Sequence, residues 1–261
     1  MKTDALFTTI HDKILGPELL AKANQVDTNA NGVQIKGDDE VKKIALGVSC
    51  NTEFLQKAAN WGADVCIFHH GLSLSDKYIY NSRLTPSLQK QLKVIFENNL
   101  TVAGYHFALD THEKIGNNIQ IIKALGAKET KELYFDNWGM VAEFSKPQFI
   151  QDVAKECSKL FRHDIFMVLG ETEKVARFGV CSGSAIPSSA DVMEIVENGL
   201  ELHITGVITE SSSAVAKESG FHYFAAGHYA TEVFGVKALG KEIKKKFPSL
   251  EVEFIDVWNE L

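Results

Sequence analysis

The chain has 261 residues, of which 45% are hydrophobic, enough to bury a sizeable core and to exclude a disordered protein. Its 34 Asp and Glu outnumber its 27 Lys and Arg, giving a formal charge of −7. That balance argues against general nucleic-acid binding, which needs clustered cations for phosphate contacts. No stretch approaches the ~20 apolar residues of a membrane span, and Met1–Leu15 lacks a signal-peptide pattern, so a cytoplasmic protein is expected.

From about residue 41 strand and helix signals alternate. Val41–Ser49 is rich in β-formers, and Asn51 and Thr52 can cap a helix over Glu53–Trp61 that Gly62 ends. Ala63–Phe68 reads as a buried strand, Thr85–Pro86 as the start of a helix reaching Asn98, and Leu100–Tyr105 as a third strand. A short helix over Asn117–Leu125 closes at Gly126. The charged stretch Lys128–Asn137 reads as irregular and as a boundary. Beyond it come a strand at Trp138–Ser145, a helix over Gln148–Phe161 with Pro147 at its start, and strands at Asp164–Leu169 and Val175–Cys181. A helix at Ala190–Glu197, strands at Leu200–Thr205 and Tyr223–Ala226, a helix over Thr231–Phe247 and a strand at Glu251–Val257 complete the pattern. This is βαβ rhythm and predicts an α/β fold with a largely parallel sheet covered by helices. Lys241–Lys246 reads as the solvated face of the last helix. Cys50, Cys66, Cys157 and Cys181 lie far apart without a CxxC pair and read as reduced core thiols.

Three clusters carry metal-binding chemistry, each directly after a predicted strand. His69 and His70 follow Ala63–Phe68. Neighbouring side chains in a strand point to opposite faces, so two adjacent imidazoles converge only where the strand ends. Carboxyl ends of parallel strands are also where ligands bind in α/β sheets. His106, Asp110 and His112 follow Leu100–Tyr105, supplying a carboxylate for bridging and imidazoles that can ligate, orient or move protons. His228 and Glu232 follow the strand at Tyr223–Ala226 and, four apart, share one face of a helix. His69, His70, Asp110, His228 and Glu232 are too many N and O ligands for one tetrahedral ion and suit two ions sharing carboxylates. With no Cys among them, Fe, Zn, Mn and Ni all match the donor type. His203 and His222 read as structural, His11 and His163 have no partner pattern, and Asn117 and Asn118 read as helix caps. Ser182–Gly183–Ser184 lacks the frame of a nucleophile elbow, and no phosphate-binding glycine loop is present.

These clusters, in this order, resemble the NGG-interacting-factor-three-like family, whose bacterial members are often called GTP cyclohydrolase type 2 homologues. The resemblance runs through Asn31–Gly32–Val33–Gln34, Phe68–His69–His70–Gly71, Gly104–Tyr105–His106, Leu109–Asp110–Thr111–His112 and Gly116–Asn117–Asn118. It continues through Ile204–Thr205–Gly206 and Ala226–Gly227–His228–Tyr229 with Thr231–Glu232. It implies a dinuclear site on His69, His70, Asp110, His228 and Glu232, with His106 beside it as ligand or proton shuttle. It also implies two similar lobes with mixed, largely parallel sheets flanked by helices: a metal-binding lobe of residues 1–127 and 227–261, and an inserted lobe of residues 128–226. Ring-shaped homohexamers are a further implication. Where the family usually has an acidic residue after Thr205–Gly206, this chain has Val207.

The preferred function is a metal-dependent hydrolase of a nucleotide-like or other small substrate, with two divalent ions activating water and His106 or His112 passing protons. The alternative is a metal carrier, or a scaffold for metal-cofactor assembly, which uses the same ligands without turnover. A protein-interaction adaptor ranks last because it gives no reason for five converging ligands.

Overall fold

The structure, a computed structural model, describes residues 1–75 and 77–259. The chain opens with α1 (Thr3–Thr9), a π-helical turn (Ile10–Leu15), α2 (Pro17–Val26), β1 (Asn31–Ile35), β2 (Lys43–Ser49), α3 (Thr52–Trp61) and β3 (Val65–His70). A small hairpin of β4 (Ile79–Tyr80) and β5 (Arg83–Leu84) precedes α4 (Pro86–Glu97), β6 (Thr101–Tyr105), α5 (Phe107–Thr111) and α6 (Asn117–Ala124). Then follow β7 (Lys128–Tyr134), β8 (Gly139–Phe149), α7 (Ile150–Phe161), β9 (Phe166–Val168), β10 (Lys174–Val180), α8 (Ser189–Glu197) and β11 (Leu202–Thr205). The last elements are α9 (Glu210–Ser219), β12 (His222–Ala225), α10 (His228–Lys246) and β13 (Glu251–Phe254). They divide between one unit of Met1–Leu109 with Gly235–Val257 and a second of Asp110–Phe234 with Trp258 and Asn259.

The first unit holds a sheet of order β1-β6-β3-β2-β13, parallel throughout except for β1, which runs antiparallel on the edge. Helix α3 starts where the Asn51 side chain accepts from Phe54 N at 2.9 Å, the predicted cap, and stops at Gly62. Its buried residues Phe54, Leu55 and Ala58 recur at spacings of one and three, the stripe of an amphipathic helix, and pack on the strand residues Ala45, Cys66 and Phe68. Phe54 meets Phe68 edge-on at 4.6 Å between ring centroids. Parallel pairing of β3 with β6 sets Phe68 opposite Gly104. The residues that follow, His69–His70 closing β3 and Tyr105–His106 at the end of β6, therefore reach the same end of the sheet.

The second unit holds a sheet of order β7-β8-β10-β11-β12-β9. Its centre, β10-β11-β12, is parallel, while β7, β8 and β9 are antiparallel flanks. Lys128–Tyr134, read from the sequence as irregular, is edge strand β7. Only Tyr134 is buried there, because an edge strand can turn its charges to solvent, and a bulge between Glu129 and Leu133 with Lys131 at φ 68° breaks the alternation. The helix expected from Gln148 begins at Ile150 instead. Strand β8 runs on through Phe149 because Gln148 and Phe149 pair with Val175 and Lys174. Pro147 is tolerated in that strand at a register shift and beyond the reach of β7. Helix α7 buries Ile150, Val153, Ala154, Cys157 and Phe161 against Val175 and Phe178. All four cysteines are buried and unbridged. No helix among the described residues is long and apolar enough to cross a membrane.

His203 on β11 is structural, as the sequence indicated. Its Nδ1 accepts from Tyr134 Oη at 2.8 Å and its Nε2 donates to Ala185 O at 3.0 Å, which satisfies a neutral ring with one proton. Burial is the main cause that pushes its pKa down to about 4, against the opposing Ala185 carbonyl and Asp191 charge. A group whose folded pKa is depressed stabilises the fold fully above its ordinary value of 6.5 and loses that contribution as the pH falls toward 4. Urea unfolding of the native protein should therefore lose up to about 3 kcal/mol between pH 7 and pH 4 through this residue. His203→Gln should show a correspondingly shallower pH dependence; identical slopes would exclude His203 as the titrating group.

Candidate metal centre

In the first unit, β3 carries His69 and His70 to its carboxyl end, and β6 does the same for His106. The three rings converge. Centroids lie 4.7 Å apart for His69 and His70, 4.8 Å for His69 and His106, and 5.1 Å for His70 and His106. His69 is fully buried, while His70 and His106 keep partial exposure. The adjacency of His69 and His70 is productive because the strand ends there, as the alternation of strand side chains requires.

Strand β1 braces the turns that hold these rings. Gln34 grips Leu72, just past His70, with its Nε2 donating to Leu72 O at 2.7 Å and its Oε1 accepting from Leu72 N at 2.8 Å. Asn31 accepts from Ala108 N at 3.2 Å through Oδ1. Asp27, at the end of α2, accepts from His106 Nδ1 at 2.9 Å, and Ser49 Oγ lies 3.2 Å from His70 Nδ1. Burial alone would raise the Asp27 carboxyl, but His106 and the N–H groups of Asn29 and Asn31 outweigh it and hold its pKa below the usual value.

In the second unit, Asp110 is buried and receives two hydrogen bonds on Oδ1, from Ser182 Oγ at 2.7 Å and Asn117 Nδ2 at 3.0 Å. Asn117 and Asn118, expected only to cap a helix, do more. Asn118 accepts from Ser182 N at 2.9 Å and donates to Trp138 O at 2.7 Å, while the cap position of α6 falls to Gly116. His112 is buried with Nδ1 accepting from Lys114 N at 3.1 Å and Ile115 N at 3.3 Å. His228 and Glu232 lie on the first turns of α10 with Nε2 and Oε1 3.2 Å apart, and Glu232 is 1% exposed.

Strand β12 turns into α10 at Gly227, whose φ of 86° favours glycine. Gly183, at φ 73°, has no room for a side chain because a β-carbon there would collide with Glu232 Oε1. Its N–H donates to Thr231 Oγ1 at 3.0 Å, and its carbonyl accepts from Gly206 N at 2.8 Å and Thr205 Oγ1 at 3.1 Å. The Ser182–Gly183 pair thus supports Asp110 and Glu232, a role that sequence reasoning missed because it tested that stretch only as a nucleophile. Val207, after Thr205–Gly206, accepts from Tyr223 Oη at 2.9 Å through its carbonyl, and Glu210 lies exposed at the start of α9.

His69, His70, His106 and Glu232 form a group that could hold a metal ion, each offering one ligand atom. The donors are nitrogen and oxygen, which fits a first-row divalent ion. The fold and this group define an α/β protein with a His/Glu group that could hold a metal ion. Residues 12–260 match the family described as Duf34/NIF3 (NGG1p interacting factor 3), and the chain belongs to that family. A relative from Buchnera aphidicola subsp. Acyrthosiphon pisum, named GTP cyclohydrolase 1 type 2 homolog, is 34% identical over 251 residues, covering 95% of this chain and 97% of the relative. The solved structure of a protein called ybgI, described as of unknown function, superposes with a TM-score of 0.86 at 28% identity over 100% of both chains. TTHA1606 from Thermus thermophilus shares the fold, with a TM-score of 0.81 at 24% identity over 100% of both chains.

Gly183→Ala combines a left-handed backbone with a collision at Glu232. It should destabilise the protein by ~1–3 kcal/mol in urea unfolding. An unchanged unfolding midpoint would mean that the backbone does not need to come this close to Glu232.

Proposed function

We propose that this protein is a metal-dependent hydrolase with two divalent ions, Fe, Zn, Mn or Ni, held by His69, His70, Asp110, His228 and Glu232. The observation that carries the reading is the convergence of three imidazoles at adjacent strand ends, in a group with Glu232 that could hold a metal. Two buried carboxylates, Asp110 and Glu232, add to it, because buried negative charge calls for a compensating cation. Bound divalent ions would supply Lewis-acid polarisation of the substrate and lower the pKa of an attacking water.

The chain's own groups would position the ligands and stabilise the leaving group. Ser182 and Asn117 fix the Asp110 carboxylate, and Gly183 leaves space for Glu232. To these five we add His106 as a further ligand, since its Nδ1 is engaged by Asp27 and its ring lies among the other two. The role beside the leaving group then falls to His112. Its Nδ1 accepts two backbone N–H groups, so the neutral ring carries its proton on Nε2, where it can hydrogen-bond the charge developing on a leaving group while bulk water supplies the proton. The name GTP cyclohydrolase 1 type 2 homolog borne by relatives supports a nucleotide-like substrate. A ring-shaped homohexamer in the cytoplasm belongs to the same reading, by resemblance to the family.

Metal content per chain, measured on protein purified without oxygen, tests the centre. About two ions are expected in the native protein and fewer in His69→Ala/Glu232→Ala with unchanged circular dichroism. Nucleotide hydrolysis by the loaded protein tests the activity, and His112→Gln should slow it ~10²–10³-fold at unchanged metal content. No metal after reconstitution would overturn the centre. Full metal with no turnover, and rapid exchange to a chelator, would replace the hydrolase by a metal carrier.

A further inference from the structure

We propose that Asp27 is a positioning residue that fixes His106 in the tautomer with its proton on Nδ1, leaving the Nε2 lone pair for a metal ion; this rests on the metal-centre reading above. Asp27 is far from the histidines in sequence and belongs to no motif, yet its side chain is 1% exposed and both of its oxygens lie against His106 Nδ1, at 3.0 and 2.9 Å.

The direction of that hydrogen bond follows from the other groups around the carboxylate. Oδ1 accepts from Asn29 N at 2.8 Å, and Oδ2 accepts from Asn31 Nδ2 at 2.9 Å and Phe107 N at 3.1 Å. Every one of these neighbours donates an N–H, so Asp27 is held as an acceptor on both oxygens. An acceptor facing Nδ1 requires the proton to sit on Nδ1. The amide nitrogen of Asn29, Nδ2, lies 3.2 Å from the same Nδ1, and two donors cannot share that contact, so the Nδ1 proton requires the amide's nitrogen and oxygen to exchange places by a flip of the side chain. The neutral ring then has its only lone pair on Nε2, as a metal ligand needs, and a carboxylate partner also makes the imidazole a stronger donor.

The same contacts fix the ring in space. Phe107 N and Ala108 N, the two amides after His106, are held by Asp27 and Asn31, and Asn31 is itself bonded to Asp27. The turn that carries His106 is therefore bolted to the end of α2 and the start of β1. A residue that merely stabilised this turn would not dictate which ring nitrogen carries the proton.

Nitrogen-15 NMR of the imidazoles in the metal-free protein at about pH 8, with the His106 signals assigned by comparison with His106→Gln, reads the tautomer directly. The native protein should show His106 protonated on Nδ1. In Asp27→Asn the amide can turn its nitrogen toward the ring, and the His106 proton should move to Nε2. Zn²⁺ affinity, measured by chelator competition, should fall ~10–100-fold in that variant. A native His106 protonated on Nε2, or a folded Asp27→Asn variant with Zn²⁺ affinity within twofold of native, would overturn the proposal. If Asp27→Asn fails to fold, the native tautomer decides alone. A native protein that binds no Zn²⁺ yet shows the Nδ1 proton would count against the metal centre and leave the Asp27–His106 assignment standing.

Discussion

The pairing of β3 with β6 is the constraint on which the histidine cluster depends. These strands are separated in sequence by a hairpin and a helix, and only their parallel register, Phe68 opposite Gly104, levels His69 and His70 with His106. Parallel neighbours send their carboxyl ends to the same edge, so side chains just beyond the sheet can meet without any long loop to steer them. A one-residue slip would turn every strand side chain to the opposite face and separate the rings. The buried Phe54–Phe68 contact and the helices that cover the sheet hold the register because a slip would expose them.

Around the ligand-type residues lies a layer of polar groups that look ordinary one at a time. Gln34 and Asn31 on β1 hold the backbone on either side of the imidazoles, and Asp27 engages one ring. In the other unit, Asn117, Asn118 and Ser182 form a buried chain of hydrogen bonds ending on Asp110, while Gly183 yields its side-chain space to Glu232. Buried polar groups are stable only when their partners are supplied, so each of these residues is tied to the carboxylate or turn it serves. Their amides and hydroxyls set where the titratable groups stand.

Strong local signals were legible in the sequence. The cap at Asn51, the stop at Gly62 and the apolar runs of β2, β3 and β6 are local preferences, and the structure keeps them. Where tertiary context supplied the deciding term, local reading failed. Lys128–Tyr134 is a strand although it is highly charged, because it lies on an edge with one side in solvent, and Ser145–Phe149 stays in the sheet because β10 offers it a partner. Neither an edge position nor a partner strand is encoded in the segment that depends on it.

The candidate site divides in the same way. The sequence by itself determined the candidate donor residues and their placement at strand ends, since His69–His70, His106 and His228 with Glu232 each come at or after an apolar run rich in strand formers, and spacing alone puts His228 and Glu232 on one helical face. It could not determine which of these groups meet, nor that Asp27 would lie beneath His106 across 79 residues of chain. Those are consequences of strand order and register, which depend on packing of the whole unit, and a hydrogen bond between residues so far apart exists only once that packing has been made.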